Sequence, residues 1–241
     1  MTQPERDAPP IQDAIKELNN PQIPEVAATP QDTREPHILK QIIHLWQQLI
    51  KQGVKTTFIE AYDQFQRLLH GAPTERYSSI LPGIHIGGQY SAKGWPILQA
   101  RGVTSVVDMR DEYGDARHGL APERYLYLPT VDNTAPSLQH LQQGITFIHD
   151  ELARGGQVYI HCWEGVGRAP TMAAAYLVST GLRPREAWGK IKACRPFIRP
   201  SLQQLEQLDR VAELYEVQVR RPLAEEVKQQ VAQHSDSVPT P

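Results

Sequence analysis

The chain predicts an α/β fold: a mostly parallel central sheet flanked by helices, with a helical extension ahead of it. Three observations carry that prediction. From about residue 79 onward, short β-branched runs alternate with stretches whose apolar residues recur three and four apart. Glycines, often paired, punctuate the junctions, as at Gly87-Gly88 and Gly155-Gly156. The apolar run Gln157-Val158-Tyr159-Ile160 passes through a short glycine-containing segment directly into a helical pattern. On parallel sheets such segments lie outside the C-terminal ends of the strands, where ligands bind.

Taken in order, residues 1–36 are rich in Pro, Gln, Asp and Glu and poor in large apolar groups, which predicts a disordered tail. Residues 37–78 read as a helical extension. Ile38, Leu39, Ile42, Ile43, Leu45, Trp46, Leu49 and Ile50 form one stripe, Gly53 breaks it, and Phe58, Tyr62, Phe65, Leu68 and Leu69 form a second. The expectation is a helical pair packed on the domain behind it, with a partner-binding or membrane-surface pair as the alternative. Its polar face is glutamine-rich rather than basic, which counts against an anionic lipid surface.

Residues 79–220 hold the alternation. Ile84-His85-Ile86 predicts a strand, Ser91 to Ala100 a helix with Gly102 past its end, Val103 to Met109 a buried strand, and Tyr125 to Leu128 another. Ser137 to Ala153 predicts a helix, with Leu138, Leu141, Ile145, Ile148 and Leu152 on one side. The strand at 157–161 follows, then helices from Arg168, Arg185 and Ser201, the last with Leu202, Leu205, Leu208, Val211 and Leu214 on one face. Residues 221–241 predict a second disordered tail, although Leu223 to Ala232 has helical character.

Composition narrows the function classes. A formal net charge of −2 over 241 residues implies no general pull toward nucleic acid. No apolar run approaches the length of a bilayer span, and the first residues lack the apolar stretch of a signal peptide. Two cysteines argue against a disulfide framework and fit a reducing cytoplasm. The nine histidines show no paired spacing with carboxylates, so neither a metal nor another cofactor is expected.

The chemistry concentrates in His161-Cys162-Trp163-Glu164-Gly165-Val166-Gly167-Arg168-Ala169-Pro170-Thr171. A tight loop between strand and helix can turn successive backbone N–H groups inward, and the helix start adds partial positive charge. A cysteine at the mouth of such a cradle should be a thiolate near neutral pH. Arg168 can grip two phosphate oxygens with its planar fork. Sulfur nucleophile, oxyanion cradle and fixed cation together describe phosphoryl transfer through a cysteine. The phosphate-binding loop would comprise Trp163, Glu164, Gly165, Val166, Gly167 and Arg168, with Gly165 and Gly167 supplying the backbone angles.

This run resembles the His-Cys-x5-Arg signature of the cysteine-dependent protein tyrosine phosphatases, and most nearly their dual-specificity branch. The resemblance covers residues 79–220 and implies that family's fold. It also implies an aspartate general acid from a loop upstream. Asp132 stands thirty residues before Cys162, between a predicted strand and helix; Asp108 and Asp111 read as structural or rim residues. By the same resemblance, His161 is buried and hydrogen-bonds local backbone, helping to keep Cys162 ionised.

Ala169 stands where the family usually carries Ser or Thr, whose hydroxyl assists breakdown of the phosphocysteine. The phosphatases of regenerating liver also carry Ala-Pro here. Thr171 is a candidate substitute, with an ordinary helix role as the plainer reading. Glu164 should disfavour highly charged substrates unless it pairs with a local arginine. Gln203, Gln204 and Arg199 are candidates for positioning water or forming a phosphate rim. Cys194 reads as an inward-facing helix residue.

These residues predict a phosphomonoester hydrolase acting on phosphorylated protein, with tyrosine or dual specificity. The alternatives are a slow or non-catalytic module that binds phosphorylated partners, and a phosphatase for a small-molecule or lipid phosphate.

Overall fold

The computed structural model describes residues 53–215. The two predicted tails and the apolar stripe over 38–50 lie outside them. The elements are α1 (Val54–His70), β1 (Ser79–Leu81), β2 (Ile84–Gly87), α2 (Trp95–Ala100), β3 (Ser105–Arg110), β4 (Arg124–Thr130), α3 (Leu138–Ala153), β5 (Val158–His161), α4 (Arg168–Ser179), α5 (Pro184–Cys194) and α6 (Leu202–Leu214), with short 3-10 turns at Glu75–Tyr77 and Asp115–His118.

The five strands form one sheet in the order β1-β2-β5-β3-β4, parallel except for the β1–β2 pair. The mostly parallel sheet is as the alternation predicts. β2, β3 and β5 are buried along their whole length, which explains their apolar, β-branched residues Ile84, Ile86, Val106, Val107, Val158 and Ile160. In-register pairing aligns Gly87 of β2 and Asp108 of β3 with His161 of β5. Three strand ends therefore meet at one edge, and the signature loop leaves from the middle one.

Both faces of the sheet are covered. One carries the larger core, where Ile84, Ile86, Val107, Met109 and Ile160 meet residues of α3, α4, α5 and α6. The other carries Tyr90, Leu98, Val103, Val106 and Tyr159, with Trp95 against them. α4 is buried from Arg168 through Ala175, and its alanine run Ala173-Ala174-Ala175 lets neighbouring helices pack closely around it.

Several boundaries differ from the prediction. β1 was not anticipated; a two-residue turn at Pro82-Gly83 folds it back on β2, and Gly83 takes φ 82° there. Residues 91–94 form a turn, closed by Gly94 and Trp95 N–H bonds to the Ser91 carbonyl, and α2 starts only at Trp95. β4 runs on to Thr130, carrying the sheet up to the turn that bears Asp132.

The largest correction concerns α1. Its predicted apolar stripe faces outward: Phe58 is 71% and Leu68 78% exposed, and Tyr62, Phe65 and Leu69 are exposed too. The buried residues are Thr57, Glu60 and Asp63. Burying a large apolar side chain is worth roughly 1.5–3 kcal/mol, so a docked polar face needs a specific reason. It lies in Arg195 and Arg199, for which Asp63 and Glu60 are the counter-ions.

Candidate active site

The signature loop leaves β5 at His161 and enters α4 at Arg168. Its carbonyls point away from the site. Those of Trp163, Glu164, Gly165 and Val166 accept from Gln89 N (3.0 Å), Arg195 Nη2 (2.8 Å), Arg195 Nε (2.7 Å) and Arg199 N (2.7 Å). A trans peptide holds each N–H opposite the preceding carbonyl, so the N–H groups of Glu164 through Gly167 face the other way, into the cradle. Gly165 N–H donates to Cys162 Sγ at 3.3 Å. Cys162 is buried but lines a cleft of about 360 Å³ with Asp132, Asn133, Trp163, Glu164, Val166, Gly167, Arg199 and Gln204.

The two loop glycines serve different ends. Gly165 has φ 73°, and a Cβ there would lie 2.2 Å from the Gly87 backbone; glycine is required twice over. Gly167 has φ −124°, an angle open to other residues, so its glycine is not needed for a positive φ. Its missing Cβ instead leaves room for Gln204, whose Oε1 would otherwise sit 3.1 Å from it.

Arg168 is 1% exposed. Its Nη1 and Nη2 fork onto Glu112 at 2.8 and 3.0 Å, and Nη1 also donates to the Thr130 carbonyl at 2.8 Å. Nη2 lies 2.9 Å from Asp132 Oδ1. Its Nε is buried and has no hydrogen-bond partner among the described residues. Burial raises the Glu112 carboxyl, but hydrogen bonds from Arg168, its own backbone and Arg110 outweigh this and hold it well below the usual carboxylate range. Asp111, beside it, is pushed up by burial and by sharing a hydrogen bond with Glu112.

Asp132 is largely exposed, on the turn after β4, with Asn133 next to it at φ 61°. The structure thus brings Cys162, Arg168 and Asp132 to the same sheet edge. Gln204 braces that turn from α6. Its Nε2 donates to the Thr134 carbonyl at 2.8 Å, while its Oε1 accepts from Ser201 N in a capping box. Gln203 lies at a separate surface hollow with Thr134, Pro136 and Gln207.

The remaining residues need adjustment. His161 is fully buried between the rings of Tyr90 and Tyr159, and its Nε2 lies 3.0 Å from Asp115 Oδ2. Its nearest charged neighbour is therefore a buried carboxylate, and neither ring nitrogen hydrogen-bonds the local backbone among the described residues. Burial raises the Asp115 carboxyl, but His161 and the Gln89 amide outweigh it, leaving the group lowered. Asp108, Asp115 and His161 lie close enough to hold an ion. However, Asp108 already accepts from Arg110 N, Asp115 N and Tyr125 Oη, and Asp115 accepts from Gln89. The group reads as a polar support behind the loop.

Ala169 is fully buried and brings no hydroxyl. The Thr171 hydroxyl donates to the Gly167 carbonyl at 2.9 Å, an ordinary helix back-bond. Glu164 Oε2 lies 3.2 Å from Arg199 Nη2, so its charge is offset at the rim. Trp163 is half exposed, with the Arg110 guanidinium 4.5 Å from its ring centroid. Cys194 Sγ contacts the carbonyls of Arg76 and Ser79, and burial pushes its thiol up.

Sequence reasoning missed Glu112, Asp115, and the pair Asp63 and Arg195. A carboxylate two residues past the end of β3, at the sheet edge of the loop, was the available signal for Glu112.

Among the described residues, no helix is long and apolar enough to cross a membrane. The family model for the dual specificity phosphatase catalytic domain matches residues 84–213. Human dual specificity protein phosphatase 5 is 32% identical over 162 residues, covering 66% of this chain and 38% of that protein. Mouse dual specificity protein phosphatase 22 is 33% identical over 152 residues, covering 62% of this chain and 80% of that protein. The crystal structure of PTPMT1 aligns with TM-score 0.52 and 27% identity, over 58% of this chain and 95% of that one. The chain spans less than half the length of several curated relatives it matches. With more than half of its length matched by that family model, this chain belongs to the dual-specificity phosphatases of the cysteine-dependent protein tyrosine phosphatase superfamily.

Proposed function

We propose that the protein hydrolyses phosphomonoesters through a phosphocysteine, acting on phosphorylated tyrosine and serine or threonine in proteins. The observation that carries this is Arg168: buried, anchored by Glu112 and Thr130, with an Nε that has no hydrogen-bond partner among the described residues, beside a cradle of inward N–H groups. An orphan buried donor costs roughly 1–3 kcal/mol, and a phosphate oxygen would satisfy it.

In the first step the Cys162 thiolate attacks phosphorus and the bond to the leaving oxygen breaks. The Asp132 carboxylic acid gives its proton to that oxygen. A phosphate held by Arg168 takes over the Nη2 that now faces Asp132, which frees the carboxyl to reach the leaving group. In the second step Asp132 accepts a proton from water, water attacks phosphorus, and the sulfur leaves as thiolate with release of inorganic phosphate. A thiolate nucleophile needs a reducing compartment, which supports a cytoplasmic location.

The test is turnover of p-nitrophenyl phosphate. Wild-type protein should release p-nitrophenolate continuously and Cys162→Ser should release none; equal rates would refute the reading. Ala169 supports a second reading, a phospho-partner module with slow turnover, because neither Ala169 nor the occupied Thr171 hydroxyl is available to the leaving thiolate. A stoichiometric burst followed by a slow phase would favour it; a single fast linear phase would exclude it.

A further inference from the structure

We infer that Asp63, on the helix preceding the catalytic domain, is a positioning residue for the phosphate cradle, acting through Arg195. The inference rests on the phosphatase reading of the loop.

The cradle works only if its N–H groups converge, and that requires its carbonyls to be held outward. Arg195 binds two of the four from behind, Glu164 through Nη2 and Gly165 through Nε. Its Nη1 donates to Asp63 Oδ2 and to the Tyr77 carbonyl, each at 3.0 Å. Both charges of the pair are 1% exposed. A buried guanidinium without its counter-ion is strongly unfavourable, so Asp63 fixes where Arg195 can sit. Asp63 is fixed in turn: its Oδ1 accepts from Thr74 N at 3.0 Å and from the Thr74 hydroxyl at 2.6 Å.

The same helix reaches the cradle at two other points. Glu60 pairs with Arg199 at 2.6 Å, and Arg199 holds Glu164 and, through its backbone N–H, Val166. Arg67 donates to the Gln89 carbonyl at 3.1 Å, and Gln89 N–H binds Trp163. Every outward carbonyl of the loop is thus tied to α1 within two residues. α1 lies outside residues 84–213, so this brace is additional to the catalytic domain itself.

The test compares Asp63→Asn and Thr74→Val with Lys93→Ala. Lys93 holds the carbonyls of Leu68 and Leu69 at the end of α1 and makes no hydrogen bond to the loop among the described residues, so it reports loosening of the helix alone. Two readings are taken on each protein: the inhibition constant for inorganic phosphate, and the pH dependence of iodoacetamide alkylation at the Cys162 peptide, with the Cys194 peptide as internal reference. Asp63→Asn should weaken phosphate about tenfold, the loss of one charge-assisted contact, and move Cys162 alkylation to higher pH. Thr74→Val should do the same to a smaller degree, and Lys93→Ala should lower the melting temperature with neither change. Wild-type phosphate affinity and alkylation profile in Asp63→Asn would overturn the inference. Should Asp63→Asn fail to fold, Thr74→Val decides by the same readings. Wild-type protein that binds no phosphate would overturn the phosphatase reading and the inference with it.

Discussion

The front and the back of the signature loop each hold a buried arginine, and the two are used in opposite ways. In front, Arg168 meets Asp132, which lines the cleft. The arginine's carboxylate partners are part-exposed Glu112 and largely exposed Asp132, and one of its nitrogens has no hydrogen-bond partner among the described residues. Behind, each of Arg195's three nitrogens donates to a protein oxygen, and its carboxylate Asp63 is as buried as it is. The front pair is built to exchange partners and the back pair to stay put. An ion pair at a solvent edge is weakly held; one sealed inside is costly to break. Geometry in the cradle therefore comes from the back, and chemistry from the front.

The sharpest way to break this contrast is to keep both charges and remove both forks. Arg168→Lys loses the bidentate grip on Glu112 and the free Nε at once. We expect kcat/KM for an aryl phosphate to fall about 10³-fold, the scale of losing preorganised charge stabilisation. Arg195→Lys should leave substantial activity with weaker phosphate binding. Equal losses, measured by steady-state kinetics, would erase the distinction between the two faces.

Next in size is Asp132→Asn. Losing the acid should slow turnover roughly 10²-fold for a substrate with a poor leaving group, such as a phosphoserine peptide. The loss should shrink for p-nitrophenyl phosphate, whose leaving group needs no proton. A penalty independent of leaving group would reassign Asp132 to holding Arg168.

Glu112→Gln should act more mildly, through Arg168. The Glu112 carboxyl is lowered in the fold. Its contribution to stability is therefore present above its unfolded pKa of about 4.3 and is lost as pH falls through the lower folded value. The variant should melt at a lower temperature at neutral pH and decline less steeply below about pH 4.3. Parallel melting curves for the two proteins across that range would show that the pair contributes nothing.

The sequence made the front of the loop legible and left the back hidden, for a physical reason. Cys162, Arg168 and the loop glycines sit in one contiguous run, and Asp132 follows a strand whose end must share their sheet edge. The sheet was readable because β2, β3 and β5 are buried and carry the apolar residues Ile84, Ile86, Val106, Val107, Val158 and Ile160. β1 was missed because three residues carry no period. α1 was misread in orientation. Apolar periodicity predicts which face seeks cover, yet Asp63 and Glu60 are drawn inward by arginines more than a hundred residues away. No local pattern encodes a counter-ion at that separation. Thr57, Glu60, Asp63 and Arg67 do share one helical face, but such a face reads as solvated until its partners are known.

The smallest expected effect tests the loop's departure from its family. Ala169 is wholly buried at the first turn of α4, so Ala169→Ser adds a hydroxyl in a site that must satisfy it. If the hydroxyl bonds the Cys162 sulfur, the leaving thiolate is stabilised and the phosphocysteine decays a few-fold faster, since one hydrogen bond to a charged group is worth about 1.5–3 kcal/mol and part offsets the cost of burial. Rapid-quench kinetics should then show a smaller burst with a faster steady state. If the hydroxyl instead turns back to a helix carbonyl, as that of Thr171 does, the burst and the steady state stay at wild-type values. In that case the rate of the second step is set by Asp132 and the back-braced cradle, not by the missing hydroxyl.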